Sequence, residues 1–108
     1  MVYYDCAMDI YTALAEPNRR RIIELIAKKG SLTATDISDK FEVSAPAISQ
    51  HLKILRESKL VHMEKVAQRR IYRINADKLD EIEEWIAKLK KHWEKKFDRL
   101  DKVLKEMK

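Results

Sequence analysis

The chain has 108 residues and a formal net charge of +5, with 45% hydrophobic and 38% charged residues. These values fit one folded domain, or one domain plus an extended helix, and they exclude an intrinsically disordered chain. They permit a nucleic-acid partner without requiring one. No apolar run approaches the ~20 residues of a membrane span, and the N-terminus MVYYDCAMDI has no secretion-signal pattern. A single cysteine, Cys6, excludes an internal disulfide framework and favours a reducing cytoplasm, where we expect the protein to reside.

The first predicted helix spans residues 4–15, YDCAMDIYTALA, and carries apolar side chains on two sides. A helix of this kind usually lies between two surfaces, here the protein's own core and a partner chain. Cys6 lies in this segment, either as a packing residue or as a redox-active thiol that meets its twin across a dimer. The two stripes are Ala7, Ile10 and Leu14 on one side and Tyr4, Met8 and Tyr11 on the other.

The second predicted helix spans residues 17–29, PNRRRIIELIAKK. Pro17 at its start and Gly30 just past its end are the residues that these helix positions favour. We expect Gly30 to take the left-handed cap conformation.

A run of three arginines, residues 19–21, lies at the N-terminal end of this helix, where the helix dipole disfavours a cation. One interpretation is a solvated face, with one arginine paired to a carboxylate such as Glu16 or Asp36. The alternative is that one of the three contacts phosphate.

Residues 33–60, TATDISDKFEVSAPAISQHLKILRESKL, predict a helix-turn-helix. Apolar residues recur at helical spacing and would form one small core between two short helices. Thr33 or Thr35 is the expected cap of the first helix, with Asp36 in its first turn, and Ser44 is the expected cap of the second. The link before Thr33 is long enough to add a short strand.

The outward face of the second helix carries small or polar residues and one cation, which suits close approach to a polyanion. We therefore expect this helix to enter the DNA major groove. Gln50 is the best candidate for a bidentate contact to adenine, and Ala45 or Ala47 would meet a thymine methyl group. The residues expected over base edges are Ala45, Pro46, Ser49 and Gln50, and those expected on phosphate are Ser44, Lys53, Arg69 and Arg70.

After Leu60 the hydrophobic period changes from helical to alternating, which predicts a β-hairpin over residues 61–75 with its tip near residues 67–69. No Asn-Gly or Gly-Gly pair fixes the turn type. A basic hairpin that follows a helix-turn-helix is a wing, placed to reach phosphates or the adjacent minor groove, where Gln68 or a tip arginine would enter. A basic surface hairpin without a ligand is the alternative.

One long helix is predicted over residues 76–106, capped by Asn75 or Asp77, because apolar residues there step by threes and fours. About 30 residues make ~45 Å of helix, more than a domain of this size covers alone. Much of the stripe should therefore pack against a second subunit, with residues 4–15 of both chains around a two-fold axis. The predicted dimerisation residues are Ile10, Leu14, Ile86, Leu89, Trp93, Phe97 and Leu100.

Three segments taken in order, ALAEPNRRRIIELI, FEVSAPAISQHLKILRESKLV and QRRIYRI, resemble the arsenical-resistance-repressor (ArsR) family of winged helix-turn-helix regulators. The resemblance covers roughly residues 7–93, and its most specific part is the segment 44–61. The spacing of Trp85, Trp93 and Phe97 further resembles the metal-free, autorepressor-like members. The resemblance implies a mainly α fold with a small β-hairpin wing (α+β), five helices, a cytoplasmic homodimer, and repression by operator binding.

The chain departs from that family at three places. Metal-sensing members carry two cysteines where Thr33 and Thr35 stand, and neutral hydroxyls do not replace thiolates for a soft metal. The Asp and His pattern by which other members bind zinc between their long helices is also missing around His92, so we expect no metal or other cofactor. The family usually has glycine where Lys59 stands, and a left-handed lysine would cost up to ~2 kcal/mol, so the helix before it is expected to end differently.

An enzyme has almost no support, because no nucleophile with a base and no glycine-rich phosphate loop is present, and His51 has no obvious carboxylate partner. The prediction is a homodimeric, sequence-specific DNA-binding repressor that reads a palindrome in double-stranded DNA. The alternative is a winged-helix module that binds proteins through its long helix and does not read DNA. A third alternative, a basic helix lying on an anionic membrane, is disfavoured by the acids on its polar face. The operator and any small-molecule or protein inducer are not evident from the residues.

Overall fold

The computed structural model describes residues 9–107 of the chain. The apolar residues Tyr4, Ala7 and Met8, and Cys6 with both of its suggested roles, lie outside the described residues. The chain divides into two compact units between Lys78 and Leu79.

The first described helix, α1, is Ile10–Leu14, and it is shorter than predicted. Asp9 is in an extended conformation and accepts the Thr12 backbone N–H at 2.7 Å, so it is the N-cap of α1. The prediction of an unbroken helix over residues 4–15 is therefore wrong at Asp9. An aspartate competes for backbone N–H groups and so favours caps over helix interiors, a local effect that the apolar periodicity around it concealed.

The second helix, α2, is Pro17–Lys29 and confirms the predicted bounds. Glu16 is its N-cap and accepts the Arg19 backbone N–H at 3.0 Å. Gly30 ends the helix with φ 89° and ψ −47°. Its φ is positive, as expected, but this ψ lies outside the left-handed helical region, and a residue with a Cβ adopts such a pair only under strain.

Two arginines of α2 bind the carbonyl end of α1. Arg19 is only 9% exposed, and its Nε donates to the carbonyl of Ala13 at 2.6 Å. Arg20 donates to the carbonyl of Leu14 at 2.7 Å. The interpretation of Arg19 as part of a solvated face is wrong. The negative end of α1 lies against these guanidinium groups and accounts for cations at the start of α2.

The helix-turn-helix consists of α3 (Ala34–Lys40) and α4 (Ala45–Glu57). Thr33 caps α3 in a reciprocal capping box: its hydroxyl accepts the Asp36 N–H, and the Asp36 carboxylate accepts the Thr33 N–H. Ser44 caps α4 by accepting the Ala47 N–H at 3.3 Å. These contacts confirm Thr33 and Ser44, of the candidates considered, as the caps.

A three-stranded antiparallel sheet completes the first unit, in the order β1 (Leu32–Thr33), β3 (Arg69–Ile74), β2 (Val61–Val66). The pair Val66↔Arg69 closes the hairpin with a two-residue turn, Ala67 and Gln68, and Ala67 has φ 57°. The tip is therefore one residue shorter than predicted. A positive φ at the first turn residue is what two-residue hairpins of the II′ kind require.

The core lies where α1 to α4 meet one face of the sheet. It contains apolar residues at helical spacing in α2, α3 and α4, and it also contains Ala13, Leu60 and Tyr72. Tyr72 is 3% exposed and lies opposite Met63, so the inward face of β3 carries Tyr72. The buried apolar residues are Ile10, Ala13, Ile22, Ile26, Ile37, Ile48, Leu52, Leu55, Leu60, Val61 and Tyr72.

Helix α4 ends at a left-handed lysine. Lys59 has φ 66°, and its N–H donates to the carbonyl of Arg56 while the N–H of Leu60 donates to the carbonyl of Leu55. This pair of bonds is the Schellman motif, in which Leu55 and Leu60 also bury their side chains. The expectation that a lysine would make the helix end differently is wrong, because these two backbone bonds and the buried leucines hold the turn.

The last helix, α5, is Ala76–Glu106, as predicted. Of the two candidate caps, Asn75 is the one that caps α5, because its side chain accepts the Asp77 N–H at 3.1 Å. No helix among residues 9–107 is both long and apolar enough to cross a membrane. Large apolar side chains are exposed along α5, among them Trp85, Ile86, Leu89, Trp93, Phe97, Leu100, Val103, Leu104 and Met107.

Candidate nucleic-acid interface

The helix α4 presents its predicted contact residues to solvent. Ile48, Leu52 and Leu55 hold the opposite side of the helix in the core. Because these three residues repeat at helical spacing, the side chains on the opposite side of the helix face outward as one surface. The exposed predicted residues are Ser44, Ala45, Pro46, Ser49, Gln50 and Lys53, and Ala47 is half-buried.

The wing places its two predicted arginines on opposite faces of the sheet. Arg70 lies opposite Lys65, and Arg69 lies opposite Val66. Directly paired residues share a face and successive residues alternate, so Arg70 and Lys65 share the face of the buried Tyr72. Lys65 was not among the residues predicted for the site. Its pairing with Arg70 depends on the hairpin register, which no turn motif specified.

The wing tip borders the start of α3. A depression of about 420 Å³ is lined by Thr33, Ala34, Thr35 and Asp36 on one side and by Gln68, Arg69 and Arg70 on the other. The structure thus brings the three predicted wing residues to one place, beside the N-terminal turn of α3. Thr35 was considered in the sequence only as a cap or in place of a metal ligand.

A second depression of about 330 Å³ continues from α3 to α4. Ala34 and Thr35 line this one as well, together with Ala45 and Ser49 at the start of α4. The start of α3 therefore lies between the wing tip and the outward face of α4. This surface, from the wing tip across Thr35 to α4, is called the concave surface below.

The start of α3 does not fit a soft metal ion. The Thr33 hydroxyl and the Asp36 carboxylate are occupied by the two backbone N–H groups of the capping box. A neutral hydroxyl is a poor ligand for metals that prefer thiolates. Within residues 9–107, no cluster of three or more His, Cys, Asp or Glu side chains could hold a metal ion.

Residues 16–62 match the family model described as "Bacterial regulatory protein, arsR family". The chain is also 33% identical to the transcriptional repressor SdpR of Bacillus subtilis over 78 residues, which cover 72% of this chain and 86% of that protein. The chain belongs to the ArsR family. Its matched segment contains α2, α3, α4 and the first residues of the wing.

Other ArsR-family proteins agree in sequence and in fold. The arsenical resistance operon repressor of Staphylococcus xylosus is 34% identical over 73 residues, which are 68% of this chain and 69% of that protein. The crystal structure of an ArsR-family transcriptional regulator superposes with a TM-score of 0.72 at 26% identity, covering 79% of this chain and 87% of that one.

Membership of the ArsR family has a direct functional consequence. The chain is a DNA-binding transcriptional regulator and not an enzyme. Its winged helix-turn-helix fold, with five helices and a three-stranded sheet within residues 9–107, is that of the family's solved structures.

Proposed function

We propose that this ArsR-family protein is a homodimeric repressor that binds a palindromic operator in double-stranded DNA and acts in the cytoplasm. The single observation that carries the proposal is the concave surface, which runs from the wing tip across the start of α3 to Ala45 and Ser49 on the outward face of α4. SdpR and the Staphylococcus xylosus protein are repressors by name, which supports repression as the mode of action.

The proposed base contacts come from the first half of α4. Ala45, Pro46 and Ser49 have small side chains, which let the helix approach base edges closely. Gln50 is exposed and would donate to and accept from adenine in the major groove, the geometry that an amide side chain fits. Ala47 is half-buried, so of the two alanines Ala45 is the better placed to contact a thymine methyl group.

The proposed phosphate contacts are Ser44, Lys53, Arg69 and Arg70, and we add Lys65. Lys65 and Arg70 lie directly opposite each other on β2 and β3. Like charges in that position are destabilising in the free protein. A phosphate between the two cations would relieve the repulsion, so this pair gains more on binding than a single cation would. Gln68 at the turn would then enter the minor groove.

The proposed dimer interface is the apolar stripe of α5. Trp93 is 68% exposed and packs against Phe97, with ring centroids 6.4 Å apart. An exposed stripe of large apolar residues along one helix marks an association surface, and a second copy of the helix would cover it through a two-fold axis. Ile86, Leu89 and Leu100 complete the stripe.

The share of α1 in this interface is smaller than that of α5. Ile10 is only 7% exposed and leaves little area for a partner, whereas Leu14 is half-buried. We therefore propose Leu14 as the main contribution of α1.

Selection of bound duplexes from a random pool by the purified protein tests the proposal. We expect an enriched inverted repeat, and an affinity for it whose logarithm decreases steeply with the logarithm of the salt concentration. A protein-binding module that does not read DNA would enrich no sequence and show no such slope. That outcome would contradict the proposal.

A further inference from the structure

The buried arginine of α2 links three elements of the first unit. Arg19 extends from α2 and donates through Nε to the carbonyl of Ala13 and through Nη2 to that of Thr12, at 2.6 and 3.4 Å. Its remaining nitrogen, Nη1, lies 3.4 Å from Nδ1 of His51 in α4. One guanidinium group therefore touches α1 and the helix that is proposed to read DNA.

His51 receives a second contact from the same corner. Its Nε2 lies 3.8 Å from Oε2 of Glu16, the N-cap of α2. Because Arg19 can only donate, Nδ1 must accept, which places the ring proton on Nε2 and directs it toward the Glu16 carboxylate. The expectation that His51 has no carboxylate partner is therefore wrong. The imidazole is held from both sides, and each nitrogen has a defined role.

The position of His51 in α4 connects these contacts to the orientation of the helix. His51 follows Gln50 directly and lies on the flank of the buried ridge formed by Ile48, Leu52 and Leu55. The buried ridge fixes how deeply α4 packs, but apolar contacts are not directional. The hydrogen bond between Arg19 and the imidazole is directional, so it constrains the rotation of α4 about its own axis. That rotation decides where Gln50 and Ser49 point.

A buried guanidinium group is not needed for packing alone. Burying an ion is costly before its partners offset the cost, and apolar residues of similar volume often replace such a group without loss of stability. Two of the three partners of Arg19 are carbonyls of α1, and these account for holding α1. The bond to His51 adds nothing to that task and concerns α4 alone.

We propose that Arg19 and His51 are positioning residues for operator binding, which orient α4 from the corner between α1 and α2 without touching DNA. The inference rests on the proposed function of α4. It predicts that the loss of the Arg19–His51 contact lowers affinity for the specific operator and leaves sequence-independent binding, which depends on phosphates, nearly unchanged.

The test compares His51→Leu with His51→Gln, because only glutamine keeps an oxygen that can accept from Arg19. The probes are the operator duplex that the parent protein selects and a random duplex of equal length. We expect His51→Leu to lose about tenfold in operator affinity, within the range of coupled neighbouring residues, and His51→Gln to retain most of it. Random-duplex affinity should change little in both variants, and their thermal unfolding midpoints, measured alongside, show whether both are folded at the assay temperature.

A double-mutant cycle provides a second test, of whether His51 acts through Arg19. In an Arg19→Met background, where the donor is already absent, His51→Leu should cause no further loss of operator affinity. This arm compares two proteins that share the same substitution in α2, so a general loss of stability caused by Arg19→Met cancels. Additive losses would show that His51 acts without Arg19 and would overturn the inference.

Three further results would overturn the inference. One is a His51→Leu variant that binds the operator like the parent. Another is an equal loss in His51→Gln and His51→Leu, which leaves no role for the accepting atom. The third is an equal loss for operator and random duplex, which would mark His51 as a direct phosphate contact. If the parent selects no duplex at all, the proposed function fails first, and the two failures are thereby distinguished.

Discussion

The side-chain Nδ2 of Asn75 donates to the backbone carbonyl of Lys59 at 2.8 Å, which ties the end of α4 to the start of α5. The backbone N–H of Asn75 adds a bond to the carbonyl of Leu60 at 2.9 Å. Asn75 therefore satisfies two carbonyls just past the end of α4, and its Oδ1 caps α5 at the same time. The left-handed Lys59 is held in place by the bonds around it rather than by its own preference.

Lys59→Gly should stabilise the fold. A lysine at φ 66° carries a steric cost that glycine does not, and the larger flexibility of unfolded glycine offsets only part of it. We expect a gain of about 0.5–1 kcal/mol in the free energy of unfolding, measured by urea denaturation. Lys59→Ala keeps the Cβ and should show no comparable gain. If Lys59→Gly is less stable than Lys59→Ala, the claim that the backbone at Lys59 is strained is wrong.

The order and type of nearly every element were predictable, because caps and hydrophobic period act locally. The bounds of α2, α5 and the helix-turn-helix follow from residues such as Pro17, Thr33 and Ser44. The errors at Asp9 and Lys59 have a common cause. At Asp9, a single cap hydrogen bond outweighed the apolar pattern of the surrounding residues. At Lys59, the hydrogen bonds of the turn outweighed the family's preference for glycine.

The candidate site was predictable in part. The outward face of α4 could be predicted, because the buried apolar residues recur at helical spacing and the exposed residues lie on the opposite side of the helix. The network of Glu16, Arg19 and His51 could not, since it joins residues up to 35 positions apart through the packing of α2 against α4. The Lys65–Arg70 pair likewise depends on strand register, which the turn sequence did not fix.

Gln50→Ala should reduce discrimination between the selected operator and a random duplex. Loss of a bidentate base contact costs about 1–3 kcal/mol for the specific site and nothing for phosphate-driven binding. Competition binding with both duplexes measures the ratio of affinities. A Gln50→Ala variant that loses the same affinity for both duplexes would mean that Gln50 does not read a base.

Lys53→Ala, Lys65→Ala and Arg70→Ala should each weaken binding to both duplexes alike. Removal of one phosphate contact flattens the slope of log affinity against log salt by about one unit. Arg73→Ala is the matched control on the wing, because Arg73 lies farther from the tip, beside Glu64 at 3.8 Å. If all three variants keep the parent's slope of log affinity against log salt, then neither Lys53 nor these wing residues contact phosphate.

Trp93→Glu should convert the protein to a monomer, since it places a charge in the middle of the exposed stripe of α5. Lys95→Glu is the matched control, because Lys95 lies two residues away, on the other side of the helix. Sedimentation equilibrium of both variants measures the mass. The proposed interface is wrong if Trp93→Glu and Lys95→Glu give the same mass, whether monomer or dimer.

Acid should weaken the start of α1. The Thr12 backbone and hydroxyl hydrogen bonds hold the pKa of the Asp9 carboxyl below its usual 3.8. A depressed pKa in the folded state means that the stabilisation is complete above 3.8 and is lost as the pH falls through the folded value. An NMR titration of the Asp9 carboxyl carbon should therefore give a lower midpoint in the folded protein than in urea. Equal midpoints would show that the cap bond is absent in solution.

The central claim is that two copies of α4, held at a fixed distance by the dimer, read one palindrome. Half-sites on one face of the duplex lie one helical turn, about 34 Å, apart. The most direct test inserts about five base pairs, half a turn, between the half-sites of the selected operator and measures affinity again. We predict that affinity falls to that of a single half-site and stays there when a full turn is inserted, because the half-sites then face the same side of the duplex but lie farther apart than the two copies of α4. An affinity unchanged by the half-turn insertion would contradict the claim.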